Sequence, residues 1–600
     1  MENKKTKIIS IASIIALALT LVTATYAYFM AQTGEGKSTD IKINANTVDT
    51  FTFEAGSALN LSLNQENFAS GKGNQTGTTF AKAMLTANNK TNTATEHYYL
   101  YLNISNNTFT YSIDNNTPEI LLSIKDGSNN EITTLTGLTY KTVTDGKGTT
   151  LKGFDITKKS GLITILNNRE ITTTSSKTEQ WNVTVTFVNY NSNQAGNAGK
   201  NFTAKLMIQK EKIPTVLSDV CTSGNNLATC ITTLSNKSEP SIVNIYHHTS
   251  SLTNGAGDNS YRYAGGDYVL TDAGKATGAT MIIGYNNTLT TALIDFYCNG
   301  TKQFVGYGCS SSQTHYYLIK GDTTQYQTYN EALSASVEKG YLTKDNVKNF
   351  VCFGTDASPC PTENLYRIIG VFNNQVKLVK WDYAKSSLLG TDGDFSQEYT
   401  SNYFSGEQGE SPSSNSLYKW NNAGTNTWSE SNLNKINLNT NFVNNIGTAW
   451  AKKIATTTWK VGGGTYANIE NSVPKTAYQY EVGSSASTPP YEAKIGLMYV
   501  TDYYYSASPS AWTLVGYNSS DATKDYKFSK GENWLYGGGW DWTISRSADY
   551  SSNAFYVRGD GLVHNLSVSN YSGARPSFSL LSSTTYVSGS GTQSDPIRIN

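Results

Sequence analysis

Four stretches between residues 45 and 210 alternate strictly between apolar and polar side chains. They are Tyr98/Leu100/Leu102/Ile104, Ile120/Leu122/Ile124, Trp181/Val183/Val185/Phe187 and Phe202/Ala204/Leu206/Ile208. A period of two sends successive side chains to opposite faces of a strand, so each stretch has one face to bury and one to leave in water. Turn-forming runs such as "DGSNNE", "DGKG" and "NSNQAGNAGK" separate them. Strands of this kind pair antiparallel, and two sheets packed face to face cover every apolar face at once. Residues 45–210 are therefore expected to form an antiparallel β-sandwich.

The whole chain has 600 residues, too many for one ordinary domain. Its formal net charge is zero and 15% of its residues are charged, which provides no basic face for a nucleic-acid partner. Polarity comes instead from Asn, Ser, Thr, Gly and 40 Tyr. Tyr, Thr and Trp favour strands, and Asn, Gly and Ser favour turns. Tyr also gives binding surfaces a large contact area at low entropic cost. The mixture suits a mainly β, multidomain extracellular protein.

The amino terminus points to the same compartment. Lys4, Lys5 and Lys7 precede the apolar run "IISIASIIALALTLVTATYAYF". Residues 1–30 read either as a cleaved export signal, with Thr25-Tyr26-Ala27 at the cut, or as an uncleaved anchor helix, since Ile8 to Phe29 is long enough to span a bilayer. In the second case the membrane is a partner through that helix. Six cysteines fall as three close pairs, Cys221/Cys230, Cys298/Cys309 and Cys352/Cys360. Local disulfides are the expected use, each worth about 2–3 kcal/mol, although spacing does not prove connectivity. No C-x-x-C pair supports zinc.

Residues 211–360 hold all six cysteines and read as a mixed linker or insert region with little core of its own. Within it, "TYNEALSASVEKG" is the clearest helix, with Thr328 and Glu331 as a capping box and Gly340 at its end. From 361 on, "LYRIIGVFNNQVKLVKWD" is a hairpin whose turn is Asn373-Asn374. Short helix signals follow at "SESNLNKINL" and "NTNFVNNIG", and terminal strands close the chain.

At "LYRIIGVFNNQVKLVK", "WDWTISRS", "AFYVRGDGLV" and "GARPSFSL" the chain resembles an uncharacterised bacterial domain of the C-type-lectin-like superfamily. That superfamily includes formylglycine-generating-type folds and the variable domains of diversity-generating retroelements. The resemblance covers 361–600 and implies an α+β C-type-lectin-like domain. Thr543-Ile544-Ser545-Arg546 departs from the usual Leu-Arg-Ser, and Ala574 replaces Val. The leader ending in "TYAYF", followed by a β-sandwich, is similar to the TasA/camelysin-like secreted proteins of Gram-positive bacteria. That likeness implies a matrix or surface location and no activity.

The residues point away from catalysis, and no enzyme activity, cofactor or metal is expected. No cysteine follows Cys360, as formylglycine-generating chemistry would need. H-E-x-x-H and G-x-S-x-G are both missing from the sequence. His564 reads as a satisfied structural side chain, and Arg575 as a structural fork. Asp392 and Asp394 are too thin a set of oxygen ligands to expect calcium, and "WNN" at 420–422 stands where Trp-Asn-Asp would be wanted. Arg558-Gly559-Asp560 spells an adhesion tripeptide, but it stands where a hairpin turn is required, and Gly and Asp are what such a turn selects.

Two functions remain open. The first is an exported, adhesin-like surface protein that presents its lectin-like domain to an unknown surface ligand, glycan or protein. Its contacts are expected from Trp540, Tyr550, Asn553, Tyr556, Arg558, Asp560, His564, Asn565, Asn570 and Tyr571. Adenine-directed diversification would also enrich Tyr, Asn and Ser in such a segment. The second is a structural matrix or fibre protein led by the β-sandwich.

Overall fold

In the computed structural model the described residues are 49–63, 72–88, 92–114, 116–266, 268–279, 281–283, 292–303, 313–327, 329–344, 347–398, 416–487, 490–521, 524–526, 532–537, 539–559 and 561–600. The leader 1–30, Cys309, Thr328 and Asp560 lie outside them. The chain is mainly β and divides into two compact units, Met1–Ile213 and Pro214–Asn600.

The first unit contains strands β1 (Thr50–Ala55), β2 (Leu59–Ser62), β3 (Gln75–Thr86), β4 (Ala94–Asn107), β5 (Ile120–Asp126), β6 (Tyr140–Thr144), β7 (Thr150–Asp155), β8 (Gly161–Thr173), β9 (Ser176–Phe187) and β10 (Asn201–Gln209). They form two sheets, in the orders β1-β3-β9-β5-β7-β6 and β2-β10-β4-β8. The four alternating stretches lie in β4, β5, β9 and β10, and their apolar residues meet in one core. Tyr101 is out of phase yet buried. It stacks on Tyr99 on the face opposite Leu100 and Leu102, and its hydroxyl accepts the Ile213 amide at 3.2 Å. Two polar groups in this core form a chain: Trp181 Nε1 donates to Tyr98 Oη at 2.8 Å, which donates on to Glu179 at 2.7 Å.

The second unit is built on a mixed-length antiparallel sheet. Its strands run in the order Ile245–His247, Tyr261–Tyr263, Leu365–Phe372, Gln375–Lys380 and Ser577–Ser579, and Phe350–Cys352 also pairs with Leu365–Phe372. Strand pairing thus crosses residue 360. The helix Leu227–Lys237, capped by Asn226, packs into the same core as Ile368, Leu378 and Phe578. Residues 211–360 therefore contribute to the core of the carboxyl-terminal part. They also hold a smaller core of their own around Leu293, Phe296, Tyr317 and Leu333.

Local signals appear where the residue chemistry placed them. Asn373 and Asn374 have φ of 48° and 62°, the left-handed pair that a primed hairpin turn needs. The helix Tyr329–Glu338 ends before Gly340, whose φ is 71°. The two short helices at 433–445 are one continuous helical stretch that opens with a π-type segment. A three-stranded sheet, Asp541–Arg546, Asn553–Val557 and Val563–Ser567, lies near the end of the chain.

Cys221–Cys230 and Cys352–Cys360 are disulfides, with Cα–Cα distances of 5.7 and 5.9 Å. Cys298 is also disulfide-bonded. These bonds fit an oxidising compartment. Among the described residues no helix is long and apolar enough to cross a membrane.

Candidate functional site

A cavity of about 490 Å³ opens on the second unit, within the roughly 300–1,000 Å³ typical of small-molecule sites. Several segments distant in sequence enclose it. Arg262 comes from the strand Tyr261–Tyr263, and Lys377 from the neighbouring hairpin. Thr457, Trp459 and Lys460 come from the strand Thr457–Lys460, and Tyr499 and Asp502 from the start of the helix Val500–Tyr505. Phe372, Tyr478 and Tyr499 are half-buried wall residues, and Trp459 lies buried behind them.

Its floor is a buried ion network. Lys377 Nζ donates to Asp502 Oδ2 at 2.5 Å, and Arg262 Nη1 lies 3.9 Å from Asp502 Oδ1. Arg262 also donates from Nη2 to Asp258 at 2.6 Å and from Nε to Ser260 Oγ at 2.8 Å. Aromatic faces help carry these charges. Lys377 Nζ is 4.5 Å from the Tyr499 ring centre and 5.3 Å from that of Trp459, while Arg262 lies over Phe372 at 4.7 Å. Such contacts are stronger when water is excluded.

Burial and pairing pull on these groups in opposite directions. Burial pushes the Lys377 ammonium below its ordinary range, and Asp502 opposes it. Burial would raise Asp258, but the Arg262 charge and the Ser260 donors outweigh it and hold the carboxyl at about 2. Behind the cavity, Glu481 is raised by burial even though it accepts from Val500, Thr501 and Ser545. The arrangement can offer fixed hydrogen-bond donors and flat ring faces to a polar ligand.

The residues singled out from the sequence lie elsewhere, on and under the terminal three-stranded sheet. Tyr550 and Tyr571 are exposed, at 57% and 44%, and Asn570 is exposed beside Tyr571. Tyr556 is only 5% exposed and packs edge-on to Trp540 and Trp542, so its ring is a core ring and not a surface contact. Trp540 is half-buried against Tyr383 and Leu417.

Asn553, His564 and Asn565 form one chain of hydrogen bonds. Asn553 Nδ2 donates to Asn565 Oδ1 at 2.6 Å, and Asn565 Nδ2 to Glu470 Oε1 at 3.1 Å. His564 Nδ1 meets the same Oε1 at 2.7 Å, with Tyr517 stacked on its ring. Glu470 is fully buried, so these side chains serve to hold its carboxylate.

The Arg558 carbonyl accepts the Gly561 amide at 2.9 Å, and the Arg558 amide donates to Leu562 at 2.8 Å. Residues 558–562 therefore form a turn. On either side of Asp560, Gly559 and Gly561 are buried, and their carbonyls accept from Tyr536 and Tyr503.

Arg575 is the expected structural fork, donating to Asp541 at 2.6 Å and to the Leu535 carbonyl at 2.6 Å. Asp394 uses its two oxygens on the Asn422 and Leu433 amides, and Asp392 accepts from Asn441. Trp420 of the "WNN" run donates to the Thr543 carbonyl. Among the described residues no cluster of three or more His, Cys, Asp or Glu is placed to hold a metal ion.

Reading along the sequence missed the cavity. Its one local signal was Lys377 inside the strand Gln375–Lys380, where every residue after the first is buried. A lysine in such a strand needs a partner, but nothing nearby in sequence names Asp502. Comparison with protein-family models and with curated proteins returned no match.

Proposed function

We propose that the chain is an exported, adhesin-like surface protein whose second unit captures a saccharide in the Arg262–Lys377–Asp502 cavity. On this reading the carboxyl-terminal part has the C-type-lectin-like fold, and the protein binds without catalysing a reaction. The observation that carries it is the pairing of half-buried ring faces, Phe372, Tyr478 and Tyr499, with a floor of buried, hydrogen-bonding charges. Sugars present apolar C–H faces and many hydroxyls, and aromatic walls with fixed polar groups complement both. The disulfides and the leader support export.

The test is retention of the full chain on a glycan array, with Tyr478→Ala and Tyr499→Ala in parallel. Saturable retention that either substitution abolishes, with unfolding unchanged, supports the reading. Absence of retention, or retention indifferent to both substitutions, overturns it.

A second reading is assembly into a matrix or fibre through the first unit. Among the described residues β1, β6, β2 and β8 form the sheet edges, and exposed edges are templates for strand pairing. Concentration-dependent growth of the full chain in light scattering, with no retention on the array, would favour it.

A further inference from the structure

We infer that the cavity selects an acidic saccharide, with the sugar carboxylate received by Lys377 and Lys460. This rests on the reading of the cavity as a saccharide site.

The cavity has more donors than its own acceptors fill. Three cations line it, Arg262, Lys377 and Lys460, against two carboxylates, Asp258 and Asp502. Lys377 is 7% exposed, and among the described residues its ammonium, which has three donors, makes one hydrogen bond, to Asp502. Arg262 Nη1 reaches Asp502 only at 3.9 Å, beyond hydrogen-bond range. Lys460 at the exposed rim donates to the Val482 and Gly483 carbonyls, at 2.6 and 3.4 Å, and among the described residues meets no carboxylate within ion-pair distance.

Glu481, the next carboxylate, is saturated by two backbone amides and two hydroxyls. A network built for stability alone would close on its own carboxylates, because a buried donor left unmade is costly. An incoming carboxylate would meet the unfilled Lys377 donors and balance Lys460. The sugar ring would lie against Tyr478 and Tyr499.

The test is ligand-observed saturation-transfer NMR on the full chain with three probes: D-glucuronic acid, D-glucose and D-glucose 6-phosphate. Glucuronate is expected to bind about tenfold tighter than glucose, the difference between a charged and a neutral hydrogen bond. Raising the salt concentration should narrow that gap. Lys377→Met should erase it but leaves Asp502 exposed to misfolding. Lys460→Met, at the exposed rim, should shrink the gap severalfold while the chain still unfolds cooperatively.

Equal binding of glucose and glucuronate overturns the inference and leaves saccharide capture standing. Tighter binding of glucose 6-phosphate than of glucuronate overturns the carboxylate assignment. Silence from all three sugars while the array still retains the chain overturns the inference alone. Silence in both experiments overturns the proposed function with it.

Discussion

Lys377 and Asp502 are 125 residues apart in sequence and meet at 2.5 Å, both almost fully buried. Asp502 also faces Arg262 and accepts the Tyr499 amide. One carboxylate thus ties the central hairpin to the first turn of the helix Val500–Tyr505 and sets the floor of the cavity.

Removing that carboxylate strands the buried Lys377 ammonium, while Arg262 keeps its pairing with Asp258. Asp502→Ala is expected to cost about 3–5 kcal/mol, the usual penalty for leaving a buried charge unpaired. The double variant Lys377→Met with Asp502→Leu should cost less than the single one, because it removes the stranded ammonium as well. Denaturant unfolding of the three proteins checks both statements, and a double variant worse than the single would refute the pairing argument.

Acid should weaken the same network through Asp258. Its carboxyl sits at about 2 in the fold against an ordinary 3.8, because Arg262 and Ser260 overcome the effect of burial. A depressed carboxyl contributes stability above about pH 4 and loses it as the pH falls toward 2. The contribution is about 2 kcal/mol at neutral pH. Asp258→Asn should be less stable at pH 6 and show a shallower loss between pH 4 and 2. Melting temperatures across that window read the difference.

Glu470 is fully buried, and its Oε1 takes both His564 and Asn565, while Oε2 has no hydrogen-bond partner among the described residues. His564→Ala is expected to cost about 1–3 kcal/mol by removing a partner from a buried carboxylate. Glu470→Gln should offset part of that loss when combined with it, because the charge is then gone. A His564→Ala variant with wild-type stability would show that the imidazole does not hold Glu470.

Gly561 has φ of 86° in the turn that follows Arg558. Gly561→Ala should destabilise by about 1 kcal/mol, the cost of a side chain in the left-handed region. Asp560→Glu should leave surface retention of the full chain unchanged if Arg558-Gly559-Asp560 acts only as turn chemistry. Loss of retention in the Asp560 variant, with the melting temperature intact, would make the tripeptide a contact.

The amino-acid sequence alone determined what neighbouring residues can dictate. Alternation in β4, β5, β9 and β10 specified strands and their buried faces, because side-chain direction in a strand follows from position two by two. Asn373-Asn374 and Gly340 specified a turn and a helix end, because few residues tolerate positive φ. The close cysteine pairs reported short disulfide loops. Hydrogen-bond partners did not follow from composition. Tyr556, read as a surface contact, is buried because Trp540 and Trp542 converge on it, and His564 and Asn565 turned inward to a glutamate 94 and 95 residues away.

Only the tertiary structure joined residues 211–360 to the carboxyl-terminal core, through pairing of Tyr261–Tyr263 and Phe350–Cys352 with Leu365–Phe372. The cavity depends on the same long-range pairing. Arg262, Lys377 and Asp502 each look like an ordinary polar residue in their own segment. Their burial is tolerated because they neutralise one another, and that mutual compensation exists only once the sheet and the helix Val500–Tyr505 have brought them together.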